Sequence, residues 1–213
     1  MRMNVSTKIW ALTPALIALL LLSACATVAA PPPAVSAAPY ARTAPADNAT
    51  HSGSVLASAG YLATLDGAQS VIGQGGAVFY LSDAYDLTLL TRGDVTTAEG
   101  NLRLRRGLFE IGWTHGLGAG LIADTGNAFY TYHATTGLTF QVGTQSPTQF
   151  FGALRVAWAD GTGPFHSAWY VLGSLGFRLP VTGSLGLNPE LQVASNSDGD
   201  LLLAPTLTFS AGF

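Results

Sequence analysis

The sequence predicts an all-β fold: a closed, antiparallel, up-and-down membrane β-barrel of eight strands, with ten allowed by the number of segments. Three observations carry this reading. Only 10% of the 213 residues are charged, against about 25% in ordinary soluble domains. Apolar and polar residues alternate with period two through most of the chain, the signature of strands with two unlike faces. All 25 glycines lie from Gly53 onward, on or between those alternating segments. Disorder, which demands a charge-rich chain, is excluded. A nucleic-acid partner, which demands a basic one, is excluded by the net charge of −3.

The amino terminus is read first as an address. Arg2 and Lys8 precede a short apolar stretch, Ala11 to Leu22, which Thr13 and Pro14 interrupt. It is too short for a spanning helix, which needs about 20 residues, and fits a secretory signal. Leu22-Ser23-Ala24-Cys25 follows and contains the only cysteine. Residues 1–25 resemble the signal of bacterial lipoproteins, with this tetrapeptide as the lipobox. The resemblance implies removal of residues 1–24 and acylation of Cys25. Ala26 resembles the class sorted to the outer membrane, where Cys25 is expected in the inner leaflet. An ordinary signal peptide, cut near Val28-Ala29-Ala30, is the competing reading. Residues 25–52 are then a linker: Pro31, Pro32, Pro33, Pro39 and Pro45 among many alanines suit an extended, semi-rigid spacer.

Residues 53–213 form the barrel domain. Gly53, Gly60 and Gly67 obscure the first part, where Val55, Leu56, Ala59 and Leu62 also fit a helix face. From there on the alternation is clear. Tyr85, Leu87 and Leu89 oppose Asp86, Thr88 and Arg92, with Leu90 as an exception. Phe109, Ile111 and Trp113 oppose Glu110. Leu138, Phe140 and Val142 oppose Thr139 and Gln141. Leu154, Val156 and Trp158 oppose Arg155. Trp169, Val171, Leu175 and Phe177 oppose Tyr170, Ser174 and Arg178. Leu185, Leu187 and Leu191 oppose Asn188 and Glu190. Turn residues separate the segments at Ser82-Asp83, Gly93-Asp94, Asp124 to Asn127, Thr135 to Gly137, Ser146-Pro147, Asp160 to Pro164, Pro180 to Gly183 and Asn196 to Asp200. Residues 128–134 and 138–143 are either one strand through Gly137 or a hairpin. Pro205, which cannot donate to a ladder, marks a strand start or a bulge.

Such a pattern serves a soluble barrel with an apolar interior or a membrane barrel with an apolar exterior. The polar parity is rich in Gly, Thr, Ser and Gln, and no lysine follows Lys8, which favours the membrane form. Trp113, Tyr130, Tyr132, Trp158 and Trp169 suit interfacial girdles. Residues 206–213, with Phe209 and the final Phe213, resemble the carboxyl-terminal signal of bacterial outer-membrane β-barrels. That resemblance implies recognition by the barrel assembly machinery and outer-membrane lipid as the surroundings.

In the lumen, Asp86, Arg92, Glu110, Arg155, Arg178 and Glu190 are expected to form a polar network that fills the barrel. A narrow pore lined by the same groups is the alternative. Arg103, Arg105 and Arg106 read as a cluster at a membrane surface or a solvated strand end. No catalytic set is expected: His166-Ser167 are adjacent and so face opposite sides, and His115 falls in a turn. No metal site and no cofactor are expected, since the four histidines are scattered and Gly73, Gly75 and Gly76 fit no phosphate-loop spacing. The expected role is structural or interactive. A soluble, lipid-anchored barrel holding an apolar ligand and a lipid-modifying enzyme are the other readings.

Overall fold

The computed structural model describes residues 28–33, 36, 38, 52–64, 67, 69–93, 95–106, 108–124, 126–143, 148–182 and 184–213. The lipobox with Cys25, and the turn at Ser146-Pro147, lie outside them. Ten strands form a closed barrel in simple sequential order. They are β2 (Gly53–Thr64), β3 (Gln69–Tyr80), β4 (Tyr85–Arg92), β5 (Val95–Arg106), β6 (Phe109–Asp124), β7 (Asn127–Val142), β8 (Gln149–Gly161), β10 (Ala168–Pro180), β11 (Leu185–Asn196) and β12 (Leu201–Gly212). Every neighbouring pair is antiparallel, and β12 closes on β2. Two short strands, β1 (Val28–Ala29) and β9 (Phe165–His166), pair in parallel outside this ladder.

The count is therefore ten rather than eight. Two segments that the sequence left open resolve as strands. Gly53–Thr64, where small residues occupy both parities, is strand β2 and not a helix face. Residues 127–142 are one strand of 16 residues, so Thr135-Thr136-Gly137 is not a turn. Gly137 serves contact instead: a Cβ there would meet the Leu154 carbonyl oxygen at 2.2 Å and Arg155 Cα at 2.5 Å. His115 likewise sits within β6 and stacks on Trp113 at 5.1 Å. Pro205 neither starts β12 nor bulges it. Leu203 pairs with Ala63 and Thr206 with Gly60 in one register, the ladder to β2 lapsing only at Ala204 and Pro205 between them. Turn glycines such as Gly126 and Gly199 take φ values of +90° and +92°, which glycine adopts without steric cost.

One rim, called lower here, holds Ser52, which donates to the Phe213 carbonyl at 2.7 Å. The strands alternate from there, so β8 and β10 meet β9 at the upper rim. A strand of 12 residues at about 3.3 Å per residue and a tilt of about 40° rises about 30 Å, the depth of a hydrocarbon core.

The apolar parity points outward. Val71, Leu104, Leu117, Leu154, Trp169 and Phe209 are each at least 60% exposed. The polar parity points inward: Asp86, Thr88, Thr97, Glu99, Asn101, Thr114 and Asn188 are fully buried. A soluble barrel around an apolar ligand requires the reverse, so that reading is set aside. Leu90, the exception to the alternation, faces the lumen and packs with Leu56 and Val78.

Candidate functional site: the filled lumen

Ten strands enclose more space than eight, whose interior side chains alone just fill. The inward face of β6 enlarges that space, because Gly112, Gly116 and Gly118 alternate there with Glu110 and Thr114. Neighbours lean into the gap. A Cβ on Gly118 would lie 2.3 Å from the His133 ring, and one on Gly116 would lie 2.6 Å from Glu99 Cγ. His133 meets the Thr97 hydroxyl at 2.8 Å.

The remaining room holds the chain's own amino-terminal segment. Val28 N–H donates to the Pro164 carbonyl at 2.8 Å, and Ala30 N–H to the His166 carbonyl at 3.0 Å, which secures the segment at the upper rim. Ala30 is then buried against Ala157, Ala159 and Tyr170, whose hydroxyl donates to the Ala30 carbonyl at 2.5 Å. Arg92 donates to the Pro32 carbonyl. Ser36 donates to Glu190 at 2.8 Å and receives Arg155 at its carbonyl at 3.0 Å. Ala38 is buried with Phe151 and Ala153. Of the Pro/Ala-rich linker, Ala30 to Pro33, Ser36 and Ala38 thus lie inside the barrel and do not form an external spacer.

The charges that frame this segment balance. Asp86, Glu99, Glu110 and Glu190 face Arg92, Arg103, Arg155 and Arg178 within the barrel. Arg103 pairs with Asp86 and, at 2.9 Å, with Glu110. Arg155 lies 3.4 Å from Glu99, which also accepts the Thr135 hydroxyl at 3.0 Å. Glu190 accepts Gln192 Nε2 at 3.1 Å, and Gln192 in turn exchanges hydrogen bonds with Gln74. Removing two ions from water costs several kcal/mol each, so buried charges persist only as such pairs. Of the six charged residues expected in the lumen, Asp86, Glu110, Arg155, Arg178 and Glu190 are buried and Arg92 is half-buried. Arg92 lies nearest the upper rim and Arg178 toward the lower end of β10.

Sequence reasoning missed Glu99 and Arg103. Arg103 does not belong to a membrane-surface cluster; it is buried because Leu102 and Leu104 take the outward parity of β5. That alternation was the available signal, masked by the run of arginines.

Two small cavities flank the inner segment, one between Ser36 and Gln74 and one beside Arg92. Each is about 10 Å³, room for about one water. A larger recess of about 410 Å³ opens at the upper rim between Val28, Pro32, Tyr170, Asn196 and Asp200. Near it, His166 pairs with Asp198 at 2.8 Å, while Ser167 is exposed. Among the described residues, no cluster of three or more His, Cys, Asp or Glu side chains is arranged to hold a metal.

On the outside, aromatics gather in two bands. Toward the upper rim stand Tyr130, Tyr132, Trp158 and Trp169. Tyr132 and Trp158 lie 5.7 Å apart, and Trp158 is opposite Trp169 in the ladder. Toward the lower rim Phe140, Phe150 and Phe177 form a chain of rings 5.9 and 5.7 Å apart. There Phe213 meets Phe79 edge-on at 6.3 Å, and Phe209 is exposed. Trp113 lies outward on the lower part of β6.

No family model matches the chain, and no curated protein matches it. Among solved structures it is similar to Neisserial surface protein A, with 10% identity over 76% of this chain and 96% of that one, TM-score 0.39. It is similar to an outer membrane channel from Pseudomonas putida F1, with 11% identity, the same coverage and TM-score 0.44. Ail, the attachment invasion locus protein of Yersinia pestis, shares 10% identity, again over 76% and 96%, with TM-score 0.36.

Proposed function

We propose that this protein is a small outer-membrane β-barrel, lipid-anchored through Cys25, with a structural or interaction role and a lumen closed to ions. The carrying observation is that Ala30 to Pro33, Ser36 and Ala38 lie in the lumen, where Ala30, Pro32 and Ser36 bond to Tyr170, Arg92, Arg155 and Glu190. A transport path would need water where those contacts stand. The apolar exterior and its two aromatic bands support a membrane setting, where such rings occupy headgroup depth. Closure of β12 on β2 leaves no open sheet edge, as hydrocarbon requires. The signal-like residues 1–25 and the terminal Phe213 support export, acylation and handling by the barrel assembly machinery.

The test has two parts. Protein extracted in detergent should migrate anomalously on a gel until boiled, as a folded membrane barrel does. In a planar bilayer it should stay silent. A stable, stepwise current from the intact protein overturns the closed-lumen reading. Release as a soluble monomer after deletion of residues 1–25 overturns the membrane reading.

A further inference from the structure

The described ends of the amino-terminal segment lie at opposite rims of the barrel. Val28 and Ala30 are bonded to the β8–β10 connection at the upper rim, while Ser52 is bonded to Phe213 at the lower rim. Between them the contacts descend β8 in step. Ala30 packs on Ala159 and Ala157, Ser36 meets Arg155, and Ala38 packs on Ala153 and Phe151. From Ala30 through Ser36 to Ala38 the contacts move from residue 159 to residue 151, so the segment descends as β8 rises.

The geometry points to a threaded barrel, in which the chain preceding Val28 emerges on the outer face of the membrane and its acylated end anchors in the outer leaflet. The inference rests on the outer-membrane reading above. An even strand count puts both ends of the barrel domain, Gly53 and Phe213, at the periplasmic rim. The upper rim then faces outward. Cys25 itself lies outside the described residues, but covalent geometry limits its reach: three residues span at most about 11 Å. Acyl chains on Cys25 are thereby held beside the upper aromatic band and cannot reach the inner leaflet, about 30 Å away. This replaces the inner-leaflet position expected from the sorting pattern. Several buried acyl chains, at roughly 0.8 kcal/mol per CH₂, make that anchor firm.

Threading also dictates an order of assembly. An acylated end cannot be drawn through a lumen packed with paired charges, so the β2–β12 seam must close around a segment already in place.

The test uses intact cells and a membrane-impermeant maleimide. Val28, 58% exposed, is replaced in Val28→Cys; Ser52, exposed at the other rim, is replaced in Ser52→Cys. The expected result is strong labelling of Val28→Cys on intact cells, unchanged by permeabilisation, and labelling of Ser52→Cys only after permeabilisation. Labelling of both only after permeabilisation, or of Ser52→Cys alone on intact cells, overturns the proposal. So does a mature protein whose mass shows cleavage after Ala30, which removes Cys25 and the rim-bonded residues Val28 and Ala30.

Palmitate labelling of the wild type separates the two readings. Its loss, with Val28→Cys still reached from outside, leaves the threading intact and refutes only the lipid anchor. If Val28→Cys does not assemble, an Ala38→Cys/Ala153→Cys pair is used. A cross-linked peptide spanning the two supports the threaded lumen, and two separately alkylated thiols overturn it.

Discussion

The guanidinium of Arg155 donates to the backbone carbonyl of Ser36 at 3.0 Å, across 119 residues of sequence. The same side chain lies 3.4 Å from the buried carboxylate of Glu99. One arginine thus joins the β5 wall, the β8 wall and the segment between them.

Arg155→Met should leave Glu99 buried without this cation. Breaking a buried pair from one side costs about 3–5 kcal/mol. The temperature at which the folded form disappears from an unboiled gel should fall markedly. Adding Glu99→Gln should restore most of the loss, since a neutral side chain no longer buries a charge that has lost its Arg155 partner.

Excision of residues 28–38, with residues 1–27 joined to residue 39, should convert a silent barrel into a conducting one. The excised segment supplies one partner each to Arg92, Arg155, Tyr170 and Glu190. Water would take their place, and stepwise currents should appear in a planar bilayer. A variant that folds yet stays silent would show that the wall side chains close the lumen unaided.

Gly137→Ala should weaken the β7–β8 seam. The added methyl would fall 2.2 Å from the Leu154 carbonyl oxygen and 2.5 Å from Arg155 Cα. Both are backbone atoms, so relief requires the strands to part. Overpacking of this kind costs about 1–3 kcal/mol, measurable as a lower urea midpoint in detergent micelles. Gly73→Ala, where a Cβ meets nothing within 4 Å, should leave that midpoint unchanged.

Leu154→Arg places a charge at mid-height on the outside of β8, at a position 60% exposed. Against lipid this should cost about 2–4 kcal/mol. On a water-facing surface the same change is nearly neutral. Folding yield into vesicles distinguishes the two, and an unchanged yield would contradict the lipid-facing assignment.

How much of this was legible follows from the range of the interactions involved. Period two along β4, β6, β8, β10 and β11 sorts Asp86, Glu110, Arg155, Arg178 and Glu190 onto one face, because a strand alternates its side chains whatever it pairs with. Leu90 breaks that rule locally, yet it has an apolar partner set in Leu56 and Val78 inside the barrel. Those partners belong to other strands and cannot be seen from residue 90. Residues 53–64 alternate poorly, since alanine, serine and glycine stand on both parities. Their strand identity comes from pairing with β3 and with β12.

The sequence by itself determined the class of the molecule: a charge-poor chain of β-strands, each with one apolar and one polar face. These are properties of composition and of a local two-residue repeat. Only the tertiary structure decided the strand number and the route of the amino-terminal segment. Closure joins β2 to β12 from opposite ends of the domain, and the Ser36–Glu190 bond spans 154 residues. A Pro/Ala-rich stretch carries no local mark of inside or outside. The ten-stranded wall, with its glycine-lined β6, makes the lumen wide enough to take it, and the balanced charges give it partners.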